Sequence, residues 1–140
     1  MRIVLDTNVL ISALLLRGSV TRRAFDAAFA NGSVLLSLEL LAELTDVLGR
    51  KQFRKYVDDL DARRFAAVLV RESEWVQVRT DVTACRDPND NKILALAVDG
   101  SATVMVTGDQ DLLCLHPFRG IDIERPDQFL KRFPSNQKRP

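Results

Sequence analysis

Apolar positions along this chain fall into two kinds of run. Short unbroken ones stand at Ile3-Val4-Leu5, Val34-Leu35-Leu36 and Val104-Met105-Val106 within Thr103–Thr107, the pattern of strands buried on both faces. Two further stretches, Trp75-Val76-Gln77-Val78 and Ile121-Asp122-Ile123-Glu124, alternate and read as strands, the first suited to a sheet edge. Between them apolar residues return at helical spacing: Val9, Leu10, Ala13 and Leu14; Ala24, Phe25, Ala28 and Phe29; Leu40, Leu41, Leu44, Val47 and Leu48; Leu60, Phe65, Val68 and Leu69; Ile93, Leu94, Leu96, Ala97 and Val98. Punctuation agrees with the runs. Gly18 stops the first helix, Ser19 or Thr21 caps the second, Asn31-Gly32 ends it as a C-cap pair would, Ser37 caps the third, and Gly100 closes the helix that starts near Asp90. Arg125-Pro126-Asp127 opens a last helix that packs Phe129 and Leu130. Strands alternating with helices predict an α/β fold with a mainly parallel central sheet of about five strands and helices on both faces. Residues 1–134 are expected to form a single domain, and 135–140 a polar, basic tail that frays.

Composition narrows the chemistry. The chain has 140 residues, 46% of them hydrophobic and 28% charged, and a formal net charge of +1. No global electrostatic footprint for nucleic acid exists, so any such binding rests on a local basic face. No charged leader with an apolar core and no long apolar run is present, and a cytoplasmic location without membrane contact is expected. Cys85, Cys114 and His116 show no metal-ligand spacing, and a domain of this size does not need a disulfide.

The candidate chemistry is carboxylate chemistry. Asp6 ends the first strand and Asp109 follows Thr103–Thr107, and ligands of open parallel sheets bind at strand carboxyl ends. Asp90 falls in the first turn of its helix, where the dipole favours a negative charge. Asp87 and Asn89 share that turn, more short polar side chains than one cap requires. On a wheel of about 100° per residue, Glu39 and Asp46 oppose the apolar stripe of the third helix, whereas Glu43 sits at its edge, half-turned inward. Each acid alone reads as a cap or a surface charge. Four of them at one mouth would repel, and a divalent cation removes that conflict. All-oxygen donors without His or Cys fit the hard ions Mg²⁺ or Mn²⁺, which acidify water and neutralise a phosphodiester. Arg50, Lys51, Arg54 and Lys55, interleaved with Phe53 and Tyr56, could track an RNA backbone and stack bases; the plainer reading is a solvated short helix whose Phe53 and Tyr56 pack inward.

Ile3–Leu10 (IVLDTNVL), Leu41–Leu44 (LAEL), Arg86–Leu94 (RDPNDNKIL) and Thr107–Leu113 (TGDQDLL) together resemble, in order, the four acidic motifs of the PIN-domain nucleases, and within them the VapC-like toxin branch of toxin–antitoxin pairs. The resemblance runs through to Ile121–Leu130. It implies a Rossmann-like PIN fold and a Mg²⁺- or Mn²⁺-dependent endoribonuclease. Asp6, Glu43, Asp90 and Asp109 match the acidic quartet that is both catalytic and metal-binding, and Asp111 supplements the fourth position. Asn8 and Thr107 match polar positions flanking the metal, and Asp87 could support them. The resemblance also implies a homodimer or higher oligomer and a cognate antitoxin that covers the site. With so small a net charge, RNA would have to be held by local clusters: Arg22 and Arg23, and Arg50, Lys51, Arg54 and Lys55. Two other readings compete. An aspartyl-phosphate phosphatase also begins with a strand ending in Asp, but needs an acid two residues on, where this chain has Asn8. A PIN-like module that binds RNA or a partner without cutting is marked by loss of acids, and all four are present.

Overall fold

The computed structural model describes residues 1–134, and the tail expected at 135–140 lies outside the described residues. Its elements run β1 (Arg2–Leu5), α1 (Thr7–Leu15), α2 (Val20–Asn31), β2 (Ser33–Leu36), α3 (Leu38–Leu48), α4 (Lys51–Arg54), α5 (Asp59–Glu72), β3 (Glu74–Trp75), α6 (Pro88–Asp99), β4 (Val104–Val106), α7 (Gln110–Leu113), β5 (Asp122–Glu124) and α8 (Pro126–Leu130). The strands form one sheet in the order β3-β2-β1-β4-β5, with every pairing parallel. This is the predicted α/β, Rossmann-like architecture. From central β1 the chain winds out through β2 to β3, then returns to lay β4 and β5 on the other side. Winding therefore reverses between β1 and β4, and in open α/β sheets the ligand crevice lies at the strand carboxyl ends of such a point.

Ile3, Val4 and Leu5, Val34, Leu35 and Leu36, and Val104, Met105 and Val106 are all buried. Successive strand side chains point to opposite faces, so these three strands are covered on both. α6 packs on β1 and β2, α2 and α5 on β2, and α8 on α2. Leu40, Leu44 and Leu48 are the buried stripe of α3. Side-chain caps start the helices: Ser19 accepts from Arg22 N at 3.1 Å and Ser37 from Leu40 N at 3.1 Å. Of the two residues offered for α2, Ser19 is the cap.

Asn31-Gly32 ends α2 as expected, with Gly32 the C-cap in an extended backbone (φ −161°); what requires glycine is space, since a Cβ would lie 2.6 Å from Met1 O and 2.8 Å from Ile3 Cδ1. Three local expectations are corrected. Tyr56 is 75% exposed, while Phe53 packs against the core. Leu60 and Val68 lie on the exposed face of α5, and the strand expected at Trp75–Val78 is only the two-residue edge strand β3. Among the described residues no helix is long and apolar enough to cross a membrane.

Candidate functional site

The register of β1 on β4 builds the site. Leu5 pairs with Val106, so the residues that follow, Asp6 and Thr107, leave the sheet side by side. Asp6 N donates to Val106 O at 3.2 Å, which carries the ladder one step past the strands. The Asp6 carboxylate accepts from Val9 N at 2.9 Å, capping α1, and from the Thr107 hydroxyl. That hydroxyl in turn accepts from Asp109 N at 3.0 Å. Thr107 is fully buried and Asp6 only 6% exposed. Burial pushes the Asp6 carboxyl up, the Thr107 and Val9 bonds pull it back, and the charges of Asp109 and Glu43 raise it again.

Asp90 arrives from the first turn of α6. Its neighbours are spoken for. Asp87 is the N-cap, accepting from Asn89 N at 2.9 Å, and Asn91 clamps the preceding loop through Cys85 N at 2.8 Å and Cys85 O at 2.9 Å. Asp90 is left facing Asp109, and its pKa is pushed up to about 7 by burial, by the charges of Asp109 and Asp87, by a hydrogen bond with Asp109 and by the charge of Asp6. Asp109 caps α7 by accepting from Asp111 N at 2.9 Å. Asp90, Asp109 and Asp111 each place a carboxylate oxygen within 4.8 Å of the others. Glu43, half-buried on α3, completes the wall: Asp6, Glu43, Asp90 and Asp109 line one cleft of about 40 Å³ together with Thr7, Asn8, Asn89 and Ile93. That is room for one small ion and little else.

The donor set fits a hard divalent cation. It is all oxygen, its charges are of one sign, and burial and the negative charges around it push the pKa of one member, Asp90, up to about 7. The nearby Cys85 thiol is pushed up by burial and by Asp90, Asp111 and Asp109, which disfavours the thiolate a softer metal would use.

A larger groove of about 630 Å³ opens beside the cleft and shares Thr7, Asn8, Glu43 and Asn89 with it. Arg50 borders it, paired with Asp46 at 3.2 Å. Lys51, Arg54 and Lys55 are exposed, and Arg54 faces a separate hollow with Leu48 and Val57. Arg22 and Arg23 line neither cleft nor groove. Arg22 pairs with Asp26 at 3.3 Å, donates to Ala13 O at 3.2 Å and sits over the Phe25 ring, while the Nε of Arg23 is buried without a partner. Gln52, Lys92 and Asn89 border the groove; the sequence singles out only Asn89 of these, as a polar side chain beyond what capping needs, and gives it no role. Asn89 had a signal: it starts a helix beside a cleft acid.

A model of the PIN domain matches residues 2–111. The chain belongs to the PIN domain family. The matched span takes in Asp6, Glu43, Asp90, Asp109 and Asp111. A relative, the uncharacterized protein MJ1680 of Methanocaldococcus jannaschii, is 30% identical over 118 residues, covering 81% of this chain and 74% of its own. Two solved structures share this fold. VapBC2 from Rickettsia felis, bound to a DNA fragment from its promoter, aligns with a TM-score of 0.63 at 16% identity over 89% of this chain and 98% of that one. PAE2754 from Pyrobaculum aerophilum aligns with a TM-score of 0.58 at 16% identity, over 94% and 88%.

Proposed function

We propose that residues 1–134 act as a single PIN domain that is a divalent-cation-dependent endoribonuclease, the toxin of a toxin–antitoxin pair. The observation that carries the reading is the cleft: acids from four separate elements, Asp6, Glu43, Asp90 and Asp109, face one small space at the sheet's reversal point in a chain of the PIN family. These acids and Asp111 would hold a Mg²⁺ or Mn²⁺, which would supply charge neutralisation at the scissile phosphodiester and an acidified water for in-line attack. The chain's own residues do the positioning. Thr107 and the Val9 amide fix the Asp6 carboxylate, while burial and the charges of Asp109 and Asp87 raise the proton affinity of Asp90, which would have to give up that proton to hold a cation. Asn8 at the cleft rim orients substrate oxygens. Lys51, Arg54 and Lys55, exposed on and after α4, supply cations for the RNA backbone, while Arg50 is paired with Asp46 in the groove; Arg22, held by Asp26 and Ala13 O, and Arg23 lie away from the cleft.

The toxin assignment draws on the fold shared with VapBC2 of Rickettsia felis. Its partners are then RNA, a cognate antitoxin covering the cleft, and a second copy of the chain, in the cytoplasm. The test is cleavage of a mixed RNA pool by the full chain with Mn²⁺. Wild type cuts and Asp6→Asn loses at least about 10²-fold, the scale on which general catalytic groups act; equal fragment yields from the two proteins would sink the reading.

A further inference from the structure

We propose that the groove beside the acids is a base-reading subsite. It takes one unpaired nucleobase next to the phosphodiester that is cut, stacks it on Phe53 and reads its edge with the carboxamides of Asn8, Gln52 and Asn89. The inference rests on the nuclease reading above and goes beyond it by assigning base selectivity to α4.

Three observations carry it. First, the groove and the acid cleft are continuous through Asn8, Glu43 and Asn89, so its occupant abuts whatever the acids engage. Second, its lining carries no excess of cations. Glu39, Glu43 and Asp46 outnumber Arg50 and Lys92, and Arg50 is already paired with Asp46. A phosphate track needs an excess of cations; a wall without one suits a neutral base. Third, the groove carries what base recognition uses: an aromatic side chain and several amides able to donate and accept at once. Phe53 packs on the core and also borders the groove, which holds it in place for stacking. Gln52, next to it, is exposed. At about 630 Å³ the groove lies within the roughly 300–1,000 Å³ that seats a small organic ligand, the size of a nucleotide and not of a paired helix. Lys92 borders both this groove and a second hollow beyond it, where it meets the neighbouring phosphate.

The experiment has two readouts on the full chain. Fluorescent single-stranded hexamers of A, C and U are titrated in EDTA and followed by anisotropy; a random RNA pool is digested with Mn²⁺ and its fragment ends are sequenced. Wild type binds one hexamer at least about tenfold more tightly than the others, the size of one good base-edge contact, and its fragment ends carry that base. Gln52→Ala brings the three hexamers within about threefold of each other. Phe53→Leu, which keeps the apolar contact with the core, weakens all of them about tenfold through lost stacking. Arg64→Ala, on the exposed face of α5, changes neither readout. RNA cut with the same end bases and the same hexamer ranking in wild type, Gln52→Ala and Phe53→Leu overturns the subsite and leaves the nuclease standing. Selective hexamer binding that Gln52→Ala abolishes, with no RNA cut by any protein, supports the subsite and removes the nuclease.

Discussion

Thr107 joins two of the acids with a single hydroxyl, donating to Asp6 and accepting from Asp109 N. Thr107→Val keeps the shape of this fully buried side chain and removes only that oxygen. The substitution is expected to cost about 1–3 kcal/mol in urea unfolding, because a donor and an acceptor lose their partner together. It should also weaken Mn²⁺ binding roughly tenfold or more, as loss of a supporting hydrogen bond does at metal sites, and Thr107→Ser should restore most of both. Unchanged affinity in Thr107→Val would mean that Asp6 needs no such fixing. A second residue-level consequence concerns pH. Asp6 and Asp90 both have raised pKa values, Asp90 to about 7, against about 3.9 for an unfolded aspartate. The folded chain therefore holds these protons more tightly than the unfolded chain. Without metal, the stabilisation is complete below pH of about 4 and is lost as pH rises through about 7. Asp99, whose pKa is lowered by Thr80, acts in the opposite sense and only at the acid end of that range. Melting curves in EDTA are expected to show Tm falling from pH 5 to 8, and the Tm gain from added Mn²⁺ growing over the same interval. Asp90→Asn should flatten both trends; a Mn²⁺ effect independent of pH would contradict the assignment of Asp90.

At the scale of elements, the join between α2 and β2 shows where sequence reading stops. Asn31-Gly32 reads correctly as a helix end, but the reason for glycine is a backbone from elsewhere: Met1 O accepts from Ser33 N at 2.8 Å and leaves no space for a Cβ at Gly32. Gly32→Ala is expected to cost about 1–3 kcal/mol by overpacking, measured by urea unfolding, with Gly18→Ala, where a Cβ meets nothing within 4 Å, inside about 0.5 kcal/mol. Equal costs for the two would refute the steric account. The same limit explains α5 and Tyr56. Periodicity identifies an apolar stripe but not whether a neighbour covers all of it, and Leu60 and Val68 are left uncovered. Glu43 illustrates the converse. Its offset from the stripe of α3 is a local property, so the wheel places it at the inner edge, and it lines the cleft.

At the scale of the molecule, alternating strands and helices announce a parallel sheet, and apolar runs ending in Asp announce acids at its carboxyl edge. Which strands lie side by side is a long-range fact. Only the order β3-β2-β1-β4-β5 puts Asp6 next to Thr107 and Asp109, and only the packing of α3 and α6 against one another brings Glu43 and Asp90 to the same mouth. On this reading the distant carboxylates form one cation site. Calorimetric titration of Mn²⁺ at pH 8 into wild type and into the double variant Asp6→Asn/Asp90→Asn decides whether they do. Saturable binding by wild type that the double variant loses is the predicted result. The same heats from both proteins, whether large or absent, would contradict it.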